Sequence, residues 1–145
     1  MLKDHTRDYA VSAFRRYAKL GCVSVAEYEE KIRNDVYIRY ENIEPKRVLI
    51  KAEEAVKAAA PLLSDIDAVE RSFAMLRANG KEYIVDAVME VYFVSPDKPL
   101  RKNQIQRRVL AFAMKVPADE RTVYRWLKNA RDLFAVCRGL TLSDS

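Results

Sequence analysis

The sequence predicts an all-α protein, with an N-terminal helical region followed by a C-terminal pair of helices at helix-turn-helix spacing. Three observations predict it. Every periodic stretch except residues 35–40 repeats its apolar residues at helical spacing rather than in alternation. Only 3 Gly and 5 Pro occur in 145 residues, which disfavours a turn-rich β protein. Several of the periodic stretches also begin or end on a recognisable cap.

The elements follow in order. Residues 6–20 form a first helix, with Tyr9, Ala10, Ala13, Phe14 and Tyr17 on one side, Arg7, Arg15, Arg16 and Lys19 around it, and Gly21 stopping it. Ser24 and Glu27 make a capping box that starts a second helix, with Tyr28 and Ile32 in its stripe. Its continuation, DVYIRY over residues 35–40, is β-branched and aromatic and is also compatible with a strand. Pro45 opens a third helix with a stripe of Val48, Leu49, Ala52, Ala55, Val56 and Ala59, and Pro61 breaks it. Ser64, with Asp65 and Asp67, starts a fourth helix with Ile66, Val69, Phe73 and Leu76 inward, ended by Asn79-Gly80. Residues 81–93 are a fifth. The stretch SPDKPLRK over residues 95–102 reads as a loop into the last two helices.

Those last two helices organise the functional reading. Asn103 reads as an N-cap with Gln106 reciprocating three residues on. Ile105, Val109, Phe112, Ala113 and Val116 make the stripe behind it. Pro117, Asp119 and Glu120 then give a helix start, with acids at the positive end of the dipole. Val123, Leu127, Ala130 and Phe134 recur at spacings of four, three and four. At about 100° per residue, Arg121, Arg125, Lys128 and Asn129 fall on the opposite face, with Thr122 at its edge. Gly139 follows Arg138 as a left-handed cap. Ala113 and Val123 stand ten residues apart across the turn. That is the helix-turn-helix pattern of a small residue that lets the helices cross and a β-branched residue that plugs the crossing. The pattern departs at the turn, where Pro117-Ala118 stands instead of the usual Gly.

The net charge of +5 is unevenly distributed. Residues 1–96 hold 15 basic and 16 acidic side chains, whereas residues 97–143 hold 11 basic and 4 acidic. A regional basic excess is the electrostatic footprint of a polyanion site. Arg121, Arg125 and Asn129 suit base edges, since Arg is bidentate to guanine and Asn to adenine. Lys128, Lys102, Arg107 and Arg108 suit phosphates, which fix register without reading sequence. The fragment from Lys81 onward is expected to keep most non-specific affinity for double-stranded DNA. Trp126, at the border of the apolar stripe, is expected to pack on the preceding helix.

The stretch ERTVYRWLKNARDLFA resembles the last helix of the fourth region of bacterial sigma factors. A closer resemblance, over residues 83–140 and including AVMEVYF, is to phage-encoded transcriptional regulators of the ArpU family in Gram-positive bacteria. It rests on the pattern of Thr122, Val123, Tyr124, Arg125, Leu127, Ala130 and Arg131. The resemblance implies DNA binding and transcriptional control of phage or prophage genes. It also groups residues 81–93 with the last two helices, which sets the boundary near Asn79-Gly80.

Other classes find little support. The single histidine, His5, lies near the start of the chain and makes a histidine-based general base a poor reading. The adjacent or near-adjacent acids Asp65 and Asp67, or Glu53 and Glu54, do not share a helix face. No phosphate loop or dinucleotide fingerprint occurs, and Cys22 and Cys137 have no metal or redox spacing. No enzyme activity, cofactor or metal is therefore expected. No apolar run approaches the ~20 residues of a membrane span, and no secretory signal opens the chain. A cytoplasmic protein is expected. The N-terminal region suits packing, homodimerisation or a surface for RNA polymerase. The rival reading is a phage packaging, assembly or adaptor protein that holds DNA without acting at a promoter.

Overall fold

Each of the chain's three glycines ends a helix. Gly21, Gly80 and Gly139 have φ of 85°, 72° and 80°, in the left-handed region that other residues enter at a cost. After each, the next N–H reaches five residues back: Cys22 to the Tyr17 carbonyl at 3.0 Å, Lys81 to Leu76 at 2.8 Å, Leu140 to Ala135 at 2.8 Å. This closure satisfies carbonyls that a helix end otherwise leaves open.

The computed structural model describes residues 5–140. It is all-α, with seven helices and no strand among the described residues: α1 His5–Lys19, α2 Val25–Arg39, α3 Pro45–Ala58, α4 Ala60–Ala78, α5 Glu82–Tyr92, α6 Lys102–Lys115 and α7 Glu120–Arg138. None is long and apolar enough to cross a membrane. Residues 35–39 continue α2, so their β-branched composition does not override the helix that the Ser24 capping box nucleates. The Glu27 N–H donates to Ser24 Oγ at 3.1 Å, and the Ser24 N–H donates to Glu27 Oε1 at 3.4 Å.

Two helix starts differ from the sequence expectation. α4 begins at Ala60, four residues before Ser64, because Pro61 sits in its first turn, where a missing N–H costs nothing. α6 begins after Arg101 rather than Asn103. The reciprocating side chain is Gln104, whose Oε1 accepts from the Arg101 N–H at 2.9 Å. α7 starts after Asp119, where the sequence places it, with Pro117 in the connection before it.

The chain divides into two compact units, residues 1–22 with 68–145 and residues 23–67. The division does not follow a boundary at Asn79-Gly80. It falls inside α4, and α1 belongs with the C-terminal helices.

In the smaller unit α2 packs along α3. Val48 and Ala52 are buried, and Arg33 Nε donates to Glu53 Oε1 at 2.9 Å. Ile38, Leu49 and Ile50 stay exposed.

In the larger unit α5 packs against α1, α6 and α7, and α7 packs against α1 and α6. The centre is aromatic. Phe14 is fully buried, with ring centroids 5.8 Å from Phe73, 6.0 Å from Tyr92 and 5.5 Å from Phe134. These four rings come from α1, α4, α5 and α7, so the core is assembled from both ends of the chain. Ser72, the one buried polar residue among the described residues of this unit, donates from Oγ to the Ala68 carbonyl at 2.6 Å.

Candidate nucleic-acid interface

α7 has one dry face and one wet one. Val123, Leu127, Ala130, Phe134 and Ala135 are each 0% exposed. Arg121, Arg125, Lys128 and Asn129 are exposed, and Thr122 is half-buried at the edge of that face. The helix is fixed at both ends. Asp119 Oδ1 accepts from the Thr122 N–H at 2.7 Å, and Gly139 closes the C-terminus. The Thr122 hydrogen bonds, with Arg121 and Arg125 nearby, hold the Asp119 carboxyl below its ordinary pKa. The charged form of the cap is thus the favoured one near neutral pH.

α6 approaches α7 through a four-residue connection, residues 116–119. The Ala118 N–H reaches the Ala113 carbonyl at 3.1 Å, the same long closure that the glycines make elsewhere, but Pro117 brings no N–H for the second bond. Val109, Phe112 and Ala113 of α6 are buried, as is Val123 at the start of α7. Trp126 packs on α5 as well as α6, with centroids 4.7 Å from Tyr83 and 6.4 Å from Phe112.

The eight residues singled out from the sequence have different surroundings. Arg121, Arg125 and Asn129 stand together on the exposed face of α7. Lys128 is on the same face, and its Nζ donates to Asp132 Oδ2 at 2.7 Å, an exposed pair one helical turn apart. Lys102 is exposed at the first turn of α6, and Arg107 is exposed one and a half turns later. Arg108 is half-buried, and its Nη1 donates to the Val91 carbonyl at 2.8 Å, near the C-terminal end of α5. That bond gives Arg108 a scaffolding role, one that a linear sequence does not reveal.

Sequence reasoning missed a second basic surface. A cleft of about 1000 Å³ runs between α1, α6, α7 and the loop after α5, lined by six cations: Arg7, Arg15, Arg16, Lys19, Lys102 and Arg131. Asp8 is the one acid in its lining among the described residues and lies 3.7 Å from Arg7. Arg15 donates to the carbonyls of Tyr92 at 2.9 Å, Ser95 at 2.9 Å and Lys98, which ties down the loop after α5. Burial lowers the Arg15 pKa first, then the proximity of Arg108, with Asp97 opposing. Arg131 Nη1 donates to Tyr92 Oη at 2.9 Å. Burial raises the Tyr92 pKa, and the Arg131 guanidinium opposes that rise.

The signal for this surface was present but masked. The larger unit holds 19 basic and 11 acidic residues, a net charge of +8, while the smaller holds 7 and 10, a net −3. Counted along the chain, the acids of residues 23–67 cancel the cations of α1. Counted by compact unit, they do not.

No family model, no curated protein and no solved structure matches the chain.

Proposed function

We propose that the protein is a sequence-specific DNA-binding transcriptional regulator whose α6 and α7 act as a helix-turn-helix on double-stranded DNA. α7 is the reading helix and α6 the supporting one. The observation that carries this reading is the exposed row of Arg121, Arg125 and Asn129 on α7, set opposite a fully buried face. Its first turn is fixed by Asp119. The row has the donor chemistry that distinguishes guanine and adenine in the major groove. The 19 residues of α7 span about 28 Å at 1.5 Å per residue, enough to lie along a groove about 12 Å wide. The four-residue connection and the Ala113 to Val123 spacing suit a helix-turn-helix.

The resemblance to the ArpU family directs this reading to phage or prophage genes. Self-association belongs to it too, because such modules gain affinity by reading two half-sites as a dimer. RNA polymerase is a further partner of a regulator of this type.

Genome-wide footprinting of the full chain on host and prophage DNA tests the reading. Discrete protected sites upstream of transcription units support it. Uniform coverage, or coverage confined to packaging-type DNA ends, favours a protein that holds DNA without controlling a promoter. Absence of binding to any duplex rules it out.

A further inference from the structure

We propose that the cleft between α1, α6 and α7 is a phosphate-binding site, in which Arg16 and Lys19 of α1 and Lys102 of α6 hold a phosphate group that the reading face of α7 does not reach. The inference extends the DNA-binding reading by adding α1 to the contact surface, and it rests on that reading only where the phosphate belongs to DNA.

Three features of the cleft point to an anion. Among the described residues its cations outnumber its acids even with Arg7 set against Asp8: Arg15, Arg16, Lys19, Lys102 and Arg131 remain, with Asp97 near Arg15. Two of the six are fixed by neutral partners. Arg15 bonds to backbone carbonyls and Arg131 to a tyrosine hydroxyl, so their positive charges are positioned without an ion pair. Like charges held together in a partly desolvated recess repel one another, and a bound anion relieves that cost. Arg16, Lys19 and Lys102 are exposed on the cleft wall, the arrangement of side chains that can close on a phosphate. Tyr124, next in sequence to Arg125 on α7, also lines the cleft.

Lys102 adds a chemical argument. It occupies the first turn of α6, where the helix dipole disfavours a cation. A helix start favours a phosphate, although here the Arg101 N–H is taken by Gln104 Oε1 and the Gln104 N–H by the Arg101 carbonyl. A lysine there gains nothing from the helix dipole and, being exposed, is available to a ligand. Arg16 and Lys19, in the last turn of α1, have a small dipole benefit of their own, so their variants need a melting control.

Two sources supply a phosphate of this kind, the backbone of duplex DNA and a free polyphosphate. The test compares the full-length wild type, Arg16→Ala/Lys19→Ala, Lys102→Ala, and the control Lys46→Ala/Arg47→Ala on exposed α3. Each is titrated with a random-sequence duplex at several salt concentrations and with inorganic tripolyphosphate by calorimetry. If the phosphate is that of DNA, Arg16→Ala/Lys19→Ala weakens duplex binding roughly tenfold and flattens the log–log salt slope by about two units. Lys102→Ala flattens it by about one, and the control changes neither. If it is a free phosphate, tripolyphosphate binds the wild type and not the α1 variant, while duplex binding is unchanged. That second pattern also stands if the wild type binds no duplex at all, which would defeat the DNA-binding reading but not this one. Wild-type behaviour of the α1 variant toward both probes overturns the proposal, as does equal weakening by the α3 control.

Discussion

The Arg131 guanidinium of α7 donates to the buried Tyr92 hydroxyl of α5 at 2.9 Å, joining residues 39 apart in the chain. Tyr92 is only 3% exposed, and its ring stacks on Phe14 of α1 at 6.0 Å. One tyrosine thus connects the half-buried Arg131 of α7 to the aromatic centre. Tyr92→Phe keeps the ring and removes the hydroxyl, leaving Arg131 without that acceptor. The expected cost is about 1–2 kcal/mol in chemical denaturation, with the helix content unchanged. An unaltered midpoint would show that water replaces the hydroxyl at no cost.

Phe14 makes α1 part of the same core as α7. Phe14→Ala should destabilise the protein by about 3–5 kcal/mol, the range for a buried aromatic. By contrast Leu49→Ala, at a side chain more than half exposed on α3, should cost less than about 0.5 kcal/mol. Thermal melts of the two variants side by side measure the difference.

The same core revises an expectation about fragments. A chain starting at Lys81 lacks Phe14, Tyr17 and Phe73, so it exposes the rings of Tyr92 and Phe134, which Phe14 contacts, and of Phe93, which Tyr17 and Phe73 contact. It should show no cooperative melt and should lose duplex affinity with its fold. A fragment from Lys81 that melts cooperatively would contradict the assignment of α1 to this core.

Gly139 stands at φ 80° with nothing within 4 Å of where a Cβ would lie. Gly139→Ala should therefore cost only the conformational term, about 1 kcal/mol. A larger loss would mean that the C-terminal closure of α7 does more than end the helix.

Asp119 links stability to acidity. Its folded-state pKa lies below the ordinary 3.8, so its stabilising contribution is complete above that value and is lost as pH falls through the lower folded value. Wild type and Asp119→Asn should differ in stability near neutral pH and converge below pH 3.8. Asp119→Ala, which also removes the capping oxygen that Asn keeps, should be less stable than Asp119→Asn and equally free of this pH dependence.

Arg125→Ala separates reading from holding. The side chain is exposed and opposite the buried stripe, so the melt should be unchanged. At a footprinted site the loss should be about 1–3 kcal/mol, with a smaller loss on random DNA. Equal losses on both would assign α7 to holding the duplex.

Much of this protein was determined by short-range sequence. The helical period of Val123, Leu127, Ala130 and Phe134, the Ser24 box and the three glycines act within one or two turns, so they mark helices and ends without knowing the fold. The shifted starts of α4 and α6 show the limit of that local reading. Pro61 and Gln104 offered first-turn chemistry as good as that of Ser64 and Gln106, and the choice among neighbouring caps is a matter of a turn or less. What only the tertiary structure decided is which distant residues meet. Phe14, Phe73, Tyr92 and Phe134 carry no mark in the sequence that they share one core. The cations of α1 join those of α6 and α7 only because those rings draw α1 against α5 and α7. The physical reason is that burial of aromatic surface is non-directional and independent of chain position. It gathers whichever faces are apolar and takes the charges on the other faces with them.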